Sequence, residues 1–573
     1  MTEVRAQSWE STTSLPRAGR SIKAAALWAA LIVTASLLAS AGAGHLSPLA
    51  KADPALAHMA ASHPRARVPV IVRKSNPTSF AAERSVWAMG GQVTHELPII
   101  GSFAARLPGG ALRSLAQSSD VLRVWGDAHL KATSSNLSEY DSSPADTSWH
   151  QTIDPSGSGG NTGLGVTVAL LDTGVTQVPD LGNRVLVRAD FTPDHDGLDR
   201  YGHGTHMAGI IAGDGTASNG QWVGMAPKAN LVSVKVAGAD GSTDVSVVIA
   251  GLQWIVSHRS QYHIRVLNLS FGTDSKQSYS VDPLDFAVER VWRSGIFVVV
   301  AAGNRGPSGG TINKPGDDPL VLTVGGADTK NTPNRNDDEV PPFSSRGPTQ
   351  DGLNKPDLVA PAISIVSNRA PGSTIDQLHP AARVGQSYFK GTGTSQAAAA
   401  VSGVAALLFG ASPALTPDMA KAILLRTADR KITWNSGGSG SGAGIVDGDA
   451  ALSVVNKWYG WIQPANLGVP LSSGLGSLEA SRGSYHVSAD IDGDGNPEVV
   501  KGEIDVLGNS WSGAIFVSGN SWTGNSWTGN EWSSYVFEGN SWTGNEWTGN
   551  EWSGNEWTGN TWTGNEWSSN SWS

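Results

Sequence analysis

The sequence predicts an α/β domain with a doubly wound, mostly parallel sheet. A small α+β unit precedes this domain, and a low-complexity repeat tail follows it. Three observations support this prediction. Short, continuous Val-rich runs alternate with helical patterns between 161 and 455, as expected for parallel strands buried on both faces. Before that region short strand and helix patterns follow a different order, and after it the chain repeats with a period of five residues.

Composition limits the classes of function. The chain has 573 residues, which is too long for one compact core, so several structural units are expected. The formal net charge is -10 and no long basic run occurs, which argues against nucleic acid as a partner. The absence of cysteine excludes disulfides, thiolate metal sites and a cysteine nucleophile.

The N-terminus has the pattern of an export signal. Arg17, Arg20 and Lys23 precede the apolar stretch AAALWAALIVTASLLASAGAG, which contains the small-x-small sequence Ala39-Ser40-Ala41. This pattern predicts a cleaved signal peptide over 1–41 and a secreted, extracellular protein. The alternative is an uncleaved membrane anchor, because the stretch approaches the ~20 residues that span a bilayer.

The small α+β unit is predicted within the segment 42–132. Three runs have strand character (VPVIV, SFAARLPG and VLRVWGD), and two have helical spacing (SFAAERSVWAMGG and GALRSLAQSSD). Their alternation predicts strands packed on two short helices. The following segment, 133–160, is rich in Ser, Asp and Gly and is predicted to be an exposed linker.

The region 161–455 supplies the elements of the α/β domain. VTVALLD, NLVSVKV, RVLNLSFG, GIFVVVAAGN and VLTVGG predict buried strands, and SVVIAGLQWIVSHR and PLDFAVERVWRSG predict helices between them. Such alternation favours parallel strands joined by helical crossovers.

An acidic loop lies in the second predicted linker, 456–507. Asp490, Asp492, Asp494 and Glu498 occupy alternate positions in DIDGDGNPE, and such oxygen ligands suit Ca²⁺. Lys501 stands where an EF-hand needs its last carboxylate, so an EF-hand is excluded. The two remaining interpretations are a short calcium loop and a plain acidic turn.

The segment 508–573 repeats the unit G-N-x-W-[ST] with two interruptions. It holds eleven of the 22 tryptophans, and no Lys or Arg follows Lys501. Gly-Asn pairs favour turns. Regularly spaced Trp can stack into a repetitive β-coil or present apolar platforms to a cell surface or glycan. The alternative is a disordered low-complexity stretch.

Three segments of the α/β region place reactive side chains where such a fold brings loops together. VALLDTGV puts Asp172 just past a buried strand, HGTHMAGIIAG starts a small-residue helix at His203, and GTSQAAAAVSG puts Ser395 on a turn before a helix. Loops at the carboxyl ends of strands converge in open α/β sheets. A histidine can activate a serine nucleophile, and a carboxylate can orient that histidine. Each segment alone is more typical of a turn, a loop or a helix cap than of a catalytic site. Together they predict an Asp-His-Ser site.

These segments resemble the subtilisin family of serine peptidases, over about 165–451. LNLSFG, VVVAAGN, FSSRGP and KPDLVAP resemble its supporting segments. The resemblance implies a serine endopeptidase acting on protein and peptide substrates, with no cofactor for the chemistry. It implies that Asp172 orients the base, His203 is the general base and acid, and Ser395 is the nucleophile. Asn304 matches the asparagine that stabilises the oxyanion.

The resemblance also implies the substrate-binding segments. Gly238 and Gly241, in GADGS, match the edge that pairs with an extended peptide. Two further segments match the walls of the pocket for the substrate residue before the scissile bond: Ser270, Phe271 and Gly272, and Ala301, Ala302 and Gly303. The chain departs from the family at Gln396, Ala399 and Ala362, where Met, Pro and Gly are usual.

By the same resemblance, 42–132 is a propeptide. Such a segment assists folding and then blocks the cleft with its last strand until it is cut, here near Ala132. The alternative is an accessory domain that stays attached. The resemblance allows structural calcium near Asp180. The rival hypothesis for the whole chain is a non-catalytic cell-surface or glycan-binding protein that acts through the Trp-rich tail.

Overall fold

The computed structural model describes residues 64–127, 129–131, 140–154, 160–432, 440–457, 460 and 462–474, together with short strands between 488 and 568. The predicted signal peptide lies outside the described residues.

The first unit is a four-stranded antiparallel sheet with two helices. The strand order is β2-β3-β1-β4. Its core is formed by side chains that alternate along the strands, such as Val70, Phe103 and Leu107. The sequence prediction missed β2, which joins the edge of this sheet. The elements are β1 Arg67–Lys74, α1 Ala81–Ala88, β2 Gln92–Leu97, β3 Ser102–Pro108, α2 Leu112–Gln117 and β4 Val121–Gly126.

The central domain contains a seven-stranded sheet with the order β13-β12-β11-β10-β6-β8-β7. Every neighbouring pair on this path is parallel. Most of its strands are buried on both faces, in accord with the Val-rich runs in the sequence. The strands are β6 Thr167–Asp172, β7 Val185–Asp190, β8 Asn230–Lys235, β10 Ile264–Leu269, β11 Phe297–Ala301, β12 Leu322–Ala327 and β13 Leu358–Pro361.

Helices cover this sheet. The long helix α8, Thr394–Ala411, packs on five of its strands. By length and apolarity α8 could span a membrane, but 89% of it is buried inside the domain, so it is a core helix of the fold. The helices are α3 Trp149–Ile153, α4 His203–Ala212, α5 Val245–His258, α6 Pro283–Arg293, α7 Thr374–Leu378, α8 Thr394–Ala411, α9 Pro417–Thr427 and α10 Gly448–Val455.

Two small antiparallel sheets flank the central one. β14 Ile365–Asn368, β15 Arg383–Val384 and β16 Tyr388–Gly391 form the first. β5 His129–Lys131 and β9 Ser242–Asp244 form the second. The second sheet joins the segment that follows the α+β unit to the central domain.

The α+β unit packs directly on α5 and α6 through β2 and the turn after it. Leu97, Ile99 and Ile100 are buried in the same hydrophobic cluster as the core of the central domain. Asp127 accepts hydrogen bonds from the Ser246 hydroxyl at 2.5 Å and from its N–H at 3.3 Å, at the start of α5. The α+β unit therefore buries apolar side chains against the central domain, and Asp127 caps the N-terminus of α5.

The prediction of an exposed linker over 133–160 is wrong for the described part of that segment, 140–154. Trp149 and Ile153 of α3 are buried, and Thr147 donates its N–H to Asn331 Oδ1 at 2.8 Å. The Ser and Asp residues of this segment form caps and turns. The segment is not exposed, because the apolar residues between them anchor it to the core.

The acidic loop falls mostly outside the described residues. Asp490, Asp492 and Asp494 lie outside them. Glu498 belongs to the strand β18 Glu498–Val499, which pairs antiparallel with β17 Ser488–Ala489.

The tail contains short strands that pair in parallel. Each described pair joins positions 20 residues apart, for example Trp522 with Trp542 and Trp542 with Trp562. Twenty residues equal four repeat units. The strands are β19 Ser518–Gly519, β20 Trp522–Gly524, β21 Trp527–Gly529, β22 Trp532–Ser534, β23 Phe537–Gly539, β24 Ser541–Gly549, β25 Trp552–Gly554, β26 Trp557–Thr558 and β27 Thr561–Ser568.

Candidate active site

Asp172 and His203 are hydrogen-bonded to each other. Asp172 is the last residue of β6, His203 is the first residue of α4, and both are buried. His203 Nδ1 lies 2.7 Å from Asp172 Oδ1, and an N–H must donate there because the carboxylate only accepts. This bond fixes the tautomer and leaves Nε2 of His203 as a proton acceptor.

Gly204 allows this close approach of helix and strand. A Cβ at position 204 would lie 2.1 Å from the Gly174 carbonyl oxygen and 3.2 Å from Asp172 Oδ1. No other residue type fits between α4 and the end of β6, because real Cβ contacts are not that short. The glycine after His203 in the sequence motif is therefore a packing requirement of the site.

Ser395 is the second residue of α8 and is 3% exposed. α8 packs against α4, the helix that begins at His203. His206, one turn into α4, donates Nε2–H to the Phe389 carbonyl at 3.1 Å, and Phe389 belongs to the strand leading into the Ser395 turn. The serine turn and the histidine helix are thus tied together.

Asn304 is bonded to the residue preceding Ser395. Its Oδ1 accepts the Thr394 N–H at 2.9 Å and the Thr394 hydroxyl at 3.0 Å. The same hydroxyl accepts the Gly303 N–H at 3.1 Å. These bonds fix the amide with Oδ1 toward Thr394 and Nδ2 as its other end, which is the donor that an oxyanion requires.

The pKa of His203 is raised above its ordinary value. Burial acts to lower it, but the charge of Asp172 and its hydrogen bond favour the imidazolium, and Asp199 adds to this effect. A base with a raised pKa in a buried site is typical of catalytic centres.

The two predicted pocket walls are adjacent. Ser270, Phe271 and Gly272 follow β10, and Ala302 and Gly303 follow Ala301 at the end of β11; these two strands are parallel neighbours. Both segments are buried.

Asn313, which the sequence prediction missed, lies between these walls. A Cβ at Gly272 would lie 2.8 Å from Asn313 Cβ, and one at Gly303 would lie 2.6 Å from Asn313 Cγ. The Asn313 N–H donates to the Ala302 carbonyl at 2.9 Å, and its Oδ1 accepts Arg305 Nε–H at 2.9 Å. The glycines of both walls are therefore needed to admit this side chain.

Gly238 and Gly241 form a turn next to β9. The Gly241 N–H donates to the Gly238 carbonyl at 3.1 Å. In β9, Ser242 pairs with Lys131 and Asp244 with His129. The chain's own segment therefore occupies this edge as an antiparallel strand.

Asp180 does not require a cation to compensate its charge. Its carboxylate accepts hydrogen bonds from Asn368 Nδ2 at 2.9 Å, the Tyr388 hydroxyl at 2.6 Å and the Ala217 N–H at 2.7 Å. Among the described residues there is no group of three or more His, Asp or Glu that could hold a metal ion.

Comparison with known proteins identifies the family. A family model described as the subtilase family matches residues 163–461, which is more than half of the chain. The chain belongs to the subtilase family. Its activity is that of a serine-type endopeptidase.

Individual relatives agree with this assignment. The chain is 40% identical over 334 residues to serine protease AprX of Bacillus subtilis, covering 57% of this chain and 74% of that one. It is 36% identical over 294 residues to subtilisin Savinase of Lederbergia lenta, covering 51% and 92%.

A solved structure shows the same fold. Fervidolysin from Fervidobacterium pennivorans, described as a keratinolytic enzyme related to subtilisin, superposes with a TM-score of 0.53. The sequence identity is 24%, and the match covers 68% of this subtilase and 61% of that chain. The seven-stranded parallel sheet is therefore a subtilisin-like fold.

Proposed function

We propose that this subtilase is a secreted endopeptidase that hydrolyses peptide bonds through Asp172, His203 and Ser395. The observation that carries this proposal is the buried 2.7 Å bond from His203 Nδ1 to Asp172 Oδ1. His203 begins α4, and α4 packs against α8, the helix that presents Ser395. Secretion rests on the basic and apolar pattern of the first 41 residues.

The catalytic cycle follows from these groups. Ser395 Oγ attacks the scissile carbonyl carbon while His203 Nε2 takes its proton, and Asp172 stabilises the imidazolium. The oxyanion accepts the Ser395 N–H and Asn304 Nδ2–H. His203 then protonates the leaving amine, which leaves an acyl-enzyme. Water then attacks the ester carbonyl while His203 takes its proton, and His203 returns that proton to Ser395 Oγ as the acyl–oxygen bond breaks and the second product leaves.

We further infer that the enzyme is made as a precursor and that 42–132 inhibits it. Support comes from β5, whose three residues lie antiparallel to β9 at the edge that the family resemblance assigns to substrate. An extended peptide bound there uses the same backbone groups, so β5 excludes substrate until the chain is cut near Ala132. Contact of the tail with a cell surface or glycan stays a prediction.

One experiment with two readouts tests this proposal. A fluorophosphonate probe should label Ser395 in the processed protein, and Ser395→Ala should abolish labelling. When expressed alone in a protease-deficient host, Ser395→Ala should also accumulate as a longer precursor. Wild-type protein that is processed but unlabelled would contradict the triad, and normal trimming of Ser395→Ala would contradict self-processing.

A further inference from the structure

The hydroxyl of Thr173 lies between two carboxylates. Its Oγ1 is 2.7 Å from Asp199 Oδ1 and 3.3 Å from Asp172 Oδ1, and it accepts the Gly204 N–H at 3.0 Å. A hydroxyl has one proton to donate, and the shorter contact takes it. Asp199 therefore keeps that proton away from Asp172.

Asp199 is held in place by the first turn of the histidine helix. It is 4% exposed, and its oxygens accept the Gly202 N–H at 2.6 Å and the Thr205 N–H at 2.7 Å. A carboxylate is favoured at a helix N-terminus. Together with the bond to Thr173, which directly follows β6, these bonds join the start of α4 to the end of β6. These two elements carry His203 and Asp172.

Asp172 Oδ1 already accepts two hydrogen bonds. They come from His203 Nδ1 at 2.7 Å and from the Thr173 N–H at 2.8 Å. A third donor on this oxygen, the Thr173 hydroxyl, would compete with His203. Such a bond would also stabilise the ionised Asp172 carboxylate when His203 is neutral. The carboxylate would then stabilise the His203 imidazolium less strongly.

The other charged groups around His203 do not replace Asp199. His206 lies on the same helix, and burial lowers its pKa to about 4, so it is neutral at working pH. Lys235 is paired in register with Asp172, but its Nζ lies 2.8 Å from Asp194 and 3.3 Å from Asp196.

We propose that Asp199 is a positioning residue for the peptidase reaction, because it binds the Thr173 hydroxyl and so reserves Asp172 for His203. The proposal rests on the triad of the proposed function. In this proposal Asp199 acts through Thr173 and the start of α4, and not directly on the substrate. Its negative charge also favours the imidazolium that forms during the reaction.

The test is Asp199→Asn in the mature enzyme, with each preparation normalised by fluorophosphonate titration. We expect kcat to fall about tenfold with KM little changed. We expect the acid limb of the kcat/KM profile to move about 0.5–1 pH unit lower, because both the redirected hydroxyl and the lost charge lower the pKa of His203. Adding Thr173→Val should move the limb back toward wild type. Asp337→Asn, at an exposed carboxylate, is the matched control.

A purely structural role for Asp199 predicts lower activity with an unmoved acid limb, and that result would overturn the proposal. If Asp199→Asn does not fold, Asp199→Glu and Thr173→Val replace it, and both should keep the acid limb within about 0.3 pH unit of wild type. A larger shift in either variant overturns the proposal. Failure of the triad is distinguishable, since wild-type Ser395 would then resist the probe.

Discussion

The proposed oxyanion donor, Asn304, is positioned by the residue next to the proposed nucleophile. Thr394 donates both its N–H and its hydroxyl to Asn304 Oδ1, so Asn304 is bonded directly to the turn that presents Ser395. Preorganised donors of this kind act on charge that develops in the transition state and cost no reorganisation during the reaction.

Asn304→Ala should therefore lower kcat by about 10²–10³ with little change in KM, because Nδ2 acts mainly on the transition state. Steady-state kinetics on a peptide substrate measure both constants. Asn334→Ala, at an exposed asparagine on the surface, controls for the loss of an amide. An effect confined to KM would show that Asn304 binds substrate instead.

At the scale of elements, the sequence predicted best where residue type and period agree. Val-rich runs located five of the seven strands of the central sheet, because parallel strands buried on both faces tolerate little else. The two edge strands, β7 and β13, were not predicted. β2 was missed because QVTHEL mixes polar residues into a short strand, and its place is set by pairing with β3. α3 was missed because two buried apolar residues outweigh the polar composition around them.

In the candidate active site, too, some residues are marked by local sequence and others only by tertiary structure. Asp172, His203 and Ser395 each lie in a distinctive local motif, so sequence alone could suggest them. Asn313 has no such motif. Its role depends on Gly272 and Gly303, which are distant in the chain and meet only because β10 and β11 are neighbours. Local patterns cannot reveal a contact that tertiary structure creates.

The tail gives a prediction about register. Its strands pair at a constant offset of 20 residues, and Phe537 takes the repeat position of a Trp when it pairs with Trp557. Deleting the five residues 541–545 preserves the phase of the repeat, so the strands beyond should still pair. Deleting only 541–543 should disrupt them, because Trp positions no longer align.

Amide hydrogen exchange over 561–568 in the full-length Ser395→Ala chain measures the difference. The five-residue deletion should retain protection close to the parent, and the three-residue deletion should lose most of it. Equal protection in both variants would show that the five-residue period does not set the pairing.

At the scale of the whole molecule, the α+β unit, the central domain and the segment 470–474 meet at one place on α6. Arg73 of the α+β unit donates Nη1–H to the carbonyls of Ser473 and Gly474, at 3.1 and 2.9 Å. Its guanidinium lies 5.4 Å from the centre of the Phe286 ring on α6. The segment 470–474 is therefore held from the side of the α+β unit.

The catalytic domain holds the same segment from its own side. The Ser472 N–H donates to both oxygens of Glu289 at 2.9 Å, and the Ser473 N–H donates to the Ser280 carbonyl at 2.7 Å. Burial, with the nearby charge of Asp318, raises the pKa of Glu289 to about 8. In the proposed maturation, removal of 42–132 would take away the Arg73 contacts and leave the segment held by the central domain alone.

Arg73→Met should therefore loosen the segment 470–474 while the α+β unit stays attached, because methionine keeps much of the apolar stem but none of the donors. Hydrogen bonds from a charged donor contribute about 1.5–3 kcal/mol each, so exchange of the Ser473 amide should become more than about tenfold faster. The measurement is hydrogen exchange by mass spectrometry in the Ser395→Ala background, where we expect the precursor to stay uncut. Arg106→Met, at an exposed arginine on the neighbouring strand β3, is the matched control and should leave exchange unchanged. If Arg73→Met also leaves it unchanged, Glu289 and Ser280 suffice to hold the segment, and maturation would not alter the path of the chain toward its tail.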